Sequence, residues 1–408
     1  MTKEKGLTLL LIISYIVLII SAFNFADLDN KGGSLNLFID GEKVADDKSP
    51  IINDGTIYLP AKTICEYLGA DYEFNEEEYK VSIHMADRTV ELAMDMPYAD
   101  INGKVVELTK GPINIDGVVM LPSDMVKVSF DAEVISYDSN KSVNIKYFSL
   151  MSGTLRMGGA SAFINISQRA IDKLKKLSPK FDARVFGGGS SAGITACLDG
   201  QFDIANITRE LSADEIYYNA DIKSYRVAKE GIAVIINNQN KINDLNRDQI
   251  CKLFEGKYLS WRAAMGDDNP VYVNVQEAGT GTSNTFYDIG ILKVDEFGEY
   301  ARTAMPNSSN GLVRQAVASE PLAVGFVTFP FLNETVKAVS IEGVRPDKDS
   351  VIKKKWPLVN KLNLVTNGDA KGLKAKYINF LRSKAGRKII EEEGFINLDY
   401  YYKDEIES

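Results

Sequence analysis

From Leu35 to Tyr147 the chain repeats itself at a constant offset of 62 residues, without one insertion or deletion. Gly41 returns as Gly103, Pro50 as Pro112, Asp54-Gly55 as Asp116-Gly117 and Leu59-Pro60 as Leu121-Pro122. Ala70 returns as Ala132, and Val81 and Ile83 as Val143 and Ile145. Landmarks in such fixed register restrict the segment to two copies of one supersecondary unit. Each copy reads as strand, Asp-Gly turn, strand, Leu-Pro, short amphipathic helix and two-strand hairpin. Proline at the first helical position gives up no bonded N–H, so the Leu-Pro pair predicts where each helix opens.

These residues resemble the copper amine oxidase N-terminal-like domain of Gram-positive surface proteins. The name implies no metal here, because the chain has one histidine, His84, and a copper site needs more. We expect no cofactor, and a stalk or spacer role for residues 35–148. The run Glu76-Glu77-Glu78 reads as a solvated hairpin tip rather than a calcium site. A lone histidine also argues against Ser-His-Asp and Cys-His nucleophiles and against zinc. Cys65, Cys197 and Cys251 each sit in an apolar, helix-like stretch, which predicts buried free thiols rather than disulfides.

Charge divides the chain. Residues 35–148 carry ten basic and 21 acidic side chains, whereas residues 149–408 carry 34 and 32. A formal net charge of −9 argues against a broad nucleic-acid surface, and a small-anion site belongs in the nearly neutral second part. Ahead of the repeat, Gly6 to Ala26 is an uncharged run of twenty-one residues preceded by Lys3 and Lys5. That length spans a hydrocarbon core of roughly 30 Å, and the lysines predict a cytoplasmic N-terminus with everything after the run outside. No small-x-small cleavage site ends the run, so we read residues 1–26 as a membrane anchor or uncleaved signal at the cell membrane. Residues 27–34 then form a short linker.

From Gly153 the grammar changes to strand, Gly/Ser/Thr-rich turn, helix, the pattern of an α/β fold. Thr154–Met157 leads through Gly158-Gly159-Ala160-Ser161-Ala162 into an apolar-spaced helix from Phe163 to Leu177. Ala183–Phe186 leads into Gly187-Gly188-Gly189-Ser190-Ser191-Ala192-Gly193, with Ile194, Cys197 and Leu198 on one helical face. Val271–Val275 alternates before Glu277-Ala278-Gly279-Thr280-Gly281-Thr282 opens a third helix. A helix N-terminus exposes unpaired N–H donors, and Ser/Thr hydroxyls add neutral ones. Three such ends aimed at one cleft would surround a tetrahedral oxyanion, although any one of them alone reads more simply as an N-cap. The second turn lacks the Gly-Lys-Ser/Thr ending of a nucleotide-triphosphate loop.

At these turns the second module, residues 150–408, resembles the PstS-like phosphate-binding proteins of ABC transporters, within the periplasmic binding protein superfamily. The resemblance also rests on Asp203-Ile204-Ala205, Thr208-Arg209-Glu210-Leu211 with Glu215, Leu253-Phe254-Glu255-Gly256-Lys257 with Trp261, Ala323 to Val327 and Trp356-Pro357-Leu358. It implies an α/β, two-lobed, type II clamp, preceded by the α+β repeat domain and the membrane helix. It further implies binding of inorganic phosphate or a related oxyanion for an ABC permease or a sensor. Ser161, Ala162, Ser190, Ser191, Thr208, Arg209, Gln276, Gly279, Thr280, Gly281 and Thr282 are the implied ligand set.

Two positions depart from the family. Gln276 stands where an arginine usually precedes the third turn, so it brings an amide donor but no charge. Thr208 stands where some members carry a carboxylate; a hydroxyl both donates and accepts, so discrimination against sulfate softens. Arg209 either supplies the missing charge or braces the fold through Glu210 or Glu215. An alternative reading is a cell-surface scaffold or adhesin that keeps the fold without its ligand. No nucleophile-base pair or paired-carboxylate spacing supports an enzyme. Lys353-Lys354-Lys355 reads as a solvated loop, with contact to a cell-wall polymer or anionic lipid as the alternative. Gly372 to Ile396 predicts one or two closing amphipathic helices.

Overall fold

A computed structural model describes residues 35–45, 48–137 and 141–398. The run Gly6–Ala26 and the linker lie outside these residues, and no helix among the described residues is long and apolar enough to cross a membrane.

The 62-residue period is reproduced element by element. Strand Asn36–Ile39 answers to Tyr98–Ile101, hairpin Ile51–Asn53/Thr56–Pro60 to Ile113–Ile115/Val118–Pro122, and helix Ala61–Leu68 to Ser123–Phe130. Hairpin Asp71–Asn75/Lys80–His84 answers to Glu133–Tyr137/Ser142–Lys146. The two copies join where Thr56–Pro60 pairs antiparallel with Val118–Pro122, through Leu59 opposite Leu121. That pairing holds Pro60 and Pro122 extended, so each is the N-cap rather than the first helical residue, and the helices open at Ala61 and Ser123. The first strand closes the module by pairing parallel with the last, Leu37 opposite Val143. An additional strand, Thr89–Ala93, links the copies and has no counterpart in the second. His84, in the five-stranded sheet that contains Thr89–Ala93, places Nδ1 3.3 Å from Thr89 Oγ1.

The second module is built on one nine-stranded sheet. In its first lobe the order is Phe181–Phe186, Gly153–Gly159, Ile204–Ile207, Val359–Asn367, Ile222–Asn237. The sixteen-residue strand Ile222–Asn237 belongs to both lobes. It pairs with Val359–Asn367 as far as Gly231, then from Ile232 with Ala323–Thr328, which continues into Tyr272–Gln276 and Met305–Asn307. The lobe boundary thus falls at Glu230, Gly231 and Ile232, and an unbroken buried strand forms the hinge. The closing helices are Leu373–Arg382 and Lys384–Glu392, with Ile378, Leu381, Ile389 and Ile390 buried beneath them. All three cysteines are buried and free.

The repeat module is not a freestanding spacer. One hydrophobic cluster runs from Leu37 and Ile64 through Phe148 to Leu155, Phe163 and Phe380, so the repeat and the first lobe share a core. Fully buried Asn379 accepts from Ala86 N–H at 3.0 Å and donates to the Tyr147 hydroxyl at 2.8 Å. The Asp40 carboxylate caps the connection by accepting the N–H groups of Tyr147, Phe148 and Ser149 at 2.8 to 3.0 Å. Gly69, in the left-handed region at φ 75°, ends the first repeat helix so close to lobe one that a Cβ there would lie 1.8 Å from the Asn379 carbonyl. No other residue fits both the backbone and the gap.

Candidate functional site

The three Gly/Ser/Thr turns meet where the lobes meet. The second helix opens at Ser190, earlier than its apolar face suggests, because Gly189 at φ 91° turns the chain into it. Ser190 is fully buried, and its Oγ accepts the Thr208 N–H at 3.2 Å, tying the second turn to the end of strand Ile204–Ile207. Gly189 N–H bonds the Gly159 carbonyl at 2.9 Å, which ties it to the first turn as well. Across the cleft, Gly281 abuts both: a Cβ on it would lie 1.9 Å from Thr208 Oγ1 and 2.8 Å from Ser190 Oγ. Gly189 in turn approaches the Gly279 carbonyl, 3.1 Å from its own Cβ position. Ser190, Thr208, Gly279 and Gly281, read from the sequence as ligand residues, are therefore gathered together.

The hydroxyls differ in what they have left to offer. Ser190 Oγ and Thr282 Oγ1 each accept one hydrogen bond, from Thr208 N–H and from Asn360 Nδ2 at 3.3 Å, and each retains its own proton. Thr280 is occupied: its Oγ1 accepts the Ser283 N–H as N-cap of helix Gly281–Phe286 and donates to the Glu277 carbonyl at 3.2 Å. Ser161 is exposed, its Oγ 3.5 Å from the Cβ position of Gly187, and Ala162 is half-buried as the N-cap of helix Phe163–Leu177.

Gln276 and Arg209 are both committed elsewhere. Gln276 Nε2 donates to Asn310 Oδ1 at 2.7 Å, and its Oε1 faces Thr280 Oγ1 at 3.4 Å. Asn310 is held in turn by the Thr328 N–H at 2.9 Å. Of the two roles open to Arg209, bracing is the one built: it grips Glu215 through two bonds of 2.7 and 2.8 Å and donates to Ser191 Oγ at 3.2 Å. Burial alone would push Glu215 up, but Arg209 and the Ser212 N–H outweigh it and hold the carboxyl below its ordinary value. The Arg209 Nε is buried without a partner. Beside it a cleft of about 620 Å³ opens between the lobes, lined by Ser191, Arg209, Tyr287, Asp288 and Lys361 among others. Burial raises Asp288 there, against the opposing charges of Arg209 and Lys293.

The turn motifs gave no sign of Asn310, Asn360 or Asn363. Asn363 Nδ2 donates to the Arg209 carbonyl at 2.8 Å and fixes that loop. For Asn360 and Asn363 the signal lies in Val359–Asn367, where asparagines alternate with leucine and valine in a mostly buried strand; a buried amide needs polar partners, and here they include the Arg209 loop and Thr282. Among the described residues no three His, Cys, Asp or Glu side chains gather at metal-binding distance.

A family profile described as copper amine oxidase N-terminal domain matches residues 38–145. The phosphate-binding protein PstS of Bacillus subtilis is 28% identical over 247 residues, covering 60% of this chain and 81% of that protein. Among solved structures, a putative phosphate ABC transporter substrate-binding protein with bound phosphate from Clostridium perfringens superposes with a TM-score of 0.55 at 25% identity. It covers 60% of this chain and 99% of that one. An ABC-type phosphate transport receptor from Vibrio cholerae superposes with a TM-score of 0.54 at 26% identity, covering 59% and 99%. A profile described as PBP superfamily domain matches residues 150–385, more than half of the chain, and with the shared-strand, two-lobed sheet it establishes that this protein belongs to the PBP superfamily, its second module being PstS-like.

Proposed function

We propose that the chain binds inorganic phosphate, or a closely related tetrahedral oxyanion, between its two lobes. The observation that carries this reading is the convergence of Ser190, Thr208 and Gly281 from separate turns on one point, with Ser190 and Thr282 retaining protons to donate. Neutral donors fixed in a desolvated cleft suit an anion whose charge is spread over several oxygens. The relatives support the choice of ligand: one is named a phosphate-binding protein, and a structural neighbour holds phosphate. The reading extends to an extracellular binding protein, anchored by residues 1–26, that delivers the ion to an ABC permease or a sensor; the apolar run behind Lys3 and Lys5 supports this placement. Calorimetric titration of the full chain with phosphate and with sulfate tests the ligand. Phosphate should bind below millimolar concentration, with sulfate competing because Thr208 is a hydroxyl. Failure of both anions to bind in that range refutes the reading.

The commitments of Gln276 to Asn310 and of Arg209 to Glu215 favour a second reading, a cell-surface scaffold that retains the fold without the ligand and contacts a cell-wall polymer. Retention of the protein on isolated cell walls, unchanged by added phosphate and coupled with no phosphate binding, would select it.

A further inference from the structure

Glu230 lies in the hinge strand opposite Asn360, one pair before the strand passes from the first lobe to the second. It is 1% exposed, and Asn360 is fully buried. A carboxyl group at such a depth is expensive unless a partner compensates it. Burial, rather than a neighbouring charge, pushes Glu230 up to about 7. Its bonded partners are neutral: Asn360 Nδ2 donates to Glu230 Oε1 at 2.8 Å, and the Thr328 hydroxyl bonds the carboxyl group as well. The same Nδ2 donates to Thr282 Oγ1 at 3.3 Å, so one NH₂ group uses its two protons on the hinge carboxyl and on the third anion turn. Asn360 Oδ1 is left buried without a partner, which ordinary packing would avoid.

The consequence falls on Thr282, which is 6% exposed at the start of helix Gly281–Phe286. A threonine hydroxyl that is free to rotate can present either its proton or a lone pair. Once Asn360 occupies a lone pair, the proton must point elsewhere, and among the described residues no acceptor takes it. Glu230 fixes this arrangement as long as Oε1 accepts, because a flip of the amide would then set Asn360 Oδ1 against another acceptor.

We propose that Glu230 and Asn360 are positioning residues that hold Thr282 as a hydroxyl donor to the bound oxyanion, so that the hinge strands take part in ligand recognition. The inference rests on the phosphate reading above. It also gives the hinge pair a reason to sense ligand. The Glu230–Asn360 bond lies within the first lobe's strand pairing, whereas Thr282 arrives from the second lobe, so the relay is complete only when the lobes meet.

The test is a mutational cycle on the full chain, read by calorimetric titration with inorganic phosphate and by thermal unfolding. Replacing both Glu230 and Asn360 by leucine removes the relay without leaving an orphaned charge. That double variant and Thr282→Val should each weaken phosphate binding by about tenfold, the loss of one good hydrogen bond. The triple variant should be no weaker than Thr282→Val alone, because the relay acts only through that hydroxyl. Thr282→Ser should bind within about twofold of the wild type. Losses that multiply in the triple variant, or a double leucine variant that binds as the wild type does, overturn the relay and leave the phosphate site standing. A wild-type chain that ignores phosphate overturns the site and the relay together. Should the double leucine variant fail to fold, Glu230→Gln/Asn360→Asp takes its place: it puts an acceptor where the donor stood and should weaken binding at least as much.

Discussion

Gly281→Ala separates binding from stability. Gly281 is the first helical residue after the Thr280 N-cap, and its φ lies outside the left-handed region, so alanine suits the backbone. In an open chain the substitution is favourable by about 0.5–1 kcal/mol, since alanine loses less entropy on entering a helix. In the closed arrangement the new methyl would stand 1.9 Å from Thr208 Oγ1 and 2.8 Å from Ser190 Oγ. Ordinary contact requires about 3.5 Å, so the third turn must retreat by about 1.5 Å from the first lobe. Overpacking of this kind costs about 1–3 kcal/mol, which as a closure penalty weakens ligand binding roughly five- to 150-fold. Calorimetry with phosphate measures the affinity, and a melting curve of the ligand-free protein controls for folding. The melting temperature should hold or rise while affinity falls. An affinity within twofold of the wild type, with normal melting, would show that Gly281 does not abut Thr208 when ligand is bound, and the geometry of the cradle would have to be abandoned.

Three further outcomes follow from buried groups. Glu230 holds its proton more tightly in the folded state than in the unfolded one, so its stabilising contribution is complete at acid pH and is lost as pH rises through about 7. Glu230→Gln should therefore match the wild type in stability near the ordinary carboxylate range and exceed it above pH 8, by at most ~3 kcal/mol; denaturant unfolding with the same difference at both pH values contradicts this. Glu215→Gln should lower stability by about 1–3 kcal/mol in the same assay, because it breaks the two-bond grip on a largely buried Arg209; a change below ~0.5 kcal/mol would deny Arg209 its bracing role. Asn379→Leu orphans the Ala86 N–H and the Tyr147 hydroxyl at the junction of repeat and lobe, and should cost about 2–4 kcal/mol. Its thermal unfolding should remain one cooperative transition, whereas a repeat that melts separately would mean that the shared core does not couple the modules.

Local chemistry made much of this protein legible from its residues alone. The 62-residue period survives as matched strands and helices because Asp-Gly turns, Leu-Pro helix entries and alternating apolar residues each act within a few positions of themselves. The three turns were legible for the same reason, since glycine at positive φ with Ser or Thr one or two residues on is a local instruction to turn and start a helix. Chain neighbours could not decide what depends on which loop comes to lie beside which. Pro60 and Pro122 became caps because the two copies pair across them, the repeat lost its independence because Asn379, 293 residues beyond Ala86, packs against Ala86 and Gly69, and Arg209 spent its donors on Glu215 in the wall of the cleft. Asn360 is the clearest case: its own strand mixes polar and apolar residues without marking it out, strand pairing sets it opposite Glu230, and only the meeting of the lobes brings Thr282 to its other side. Turns and helix starts are set by short-range sterics and hydrogen bonds, whereas the direction in which a side chain spends its donors is set by long-range packing, and that is the part only the tertiary structure decided.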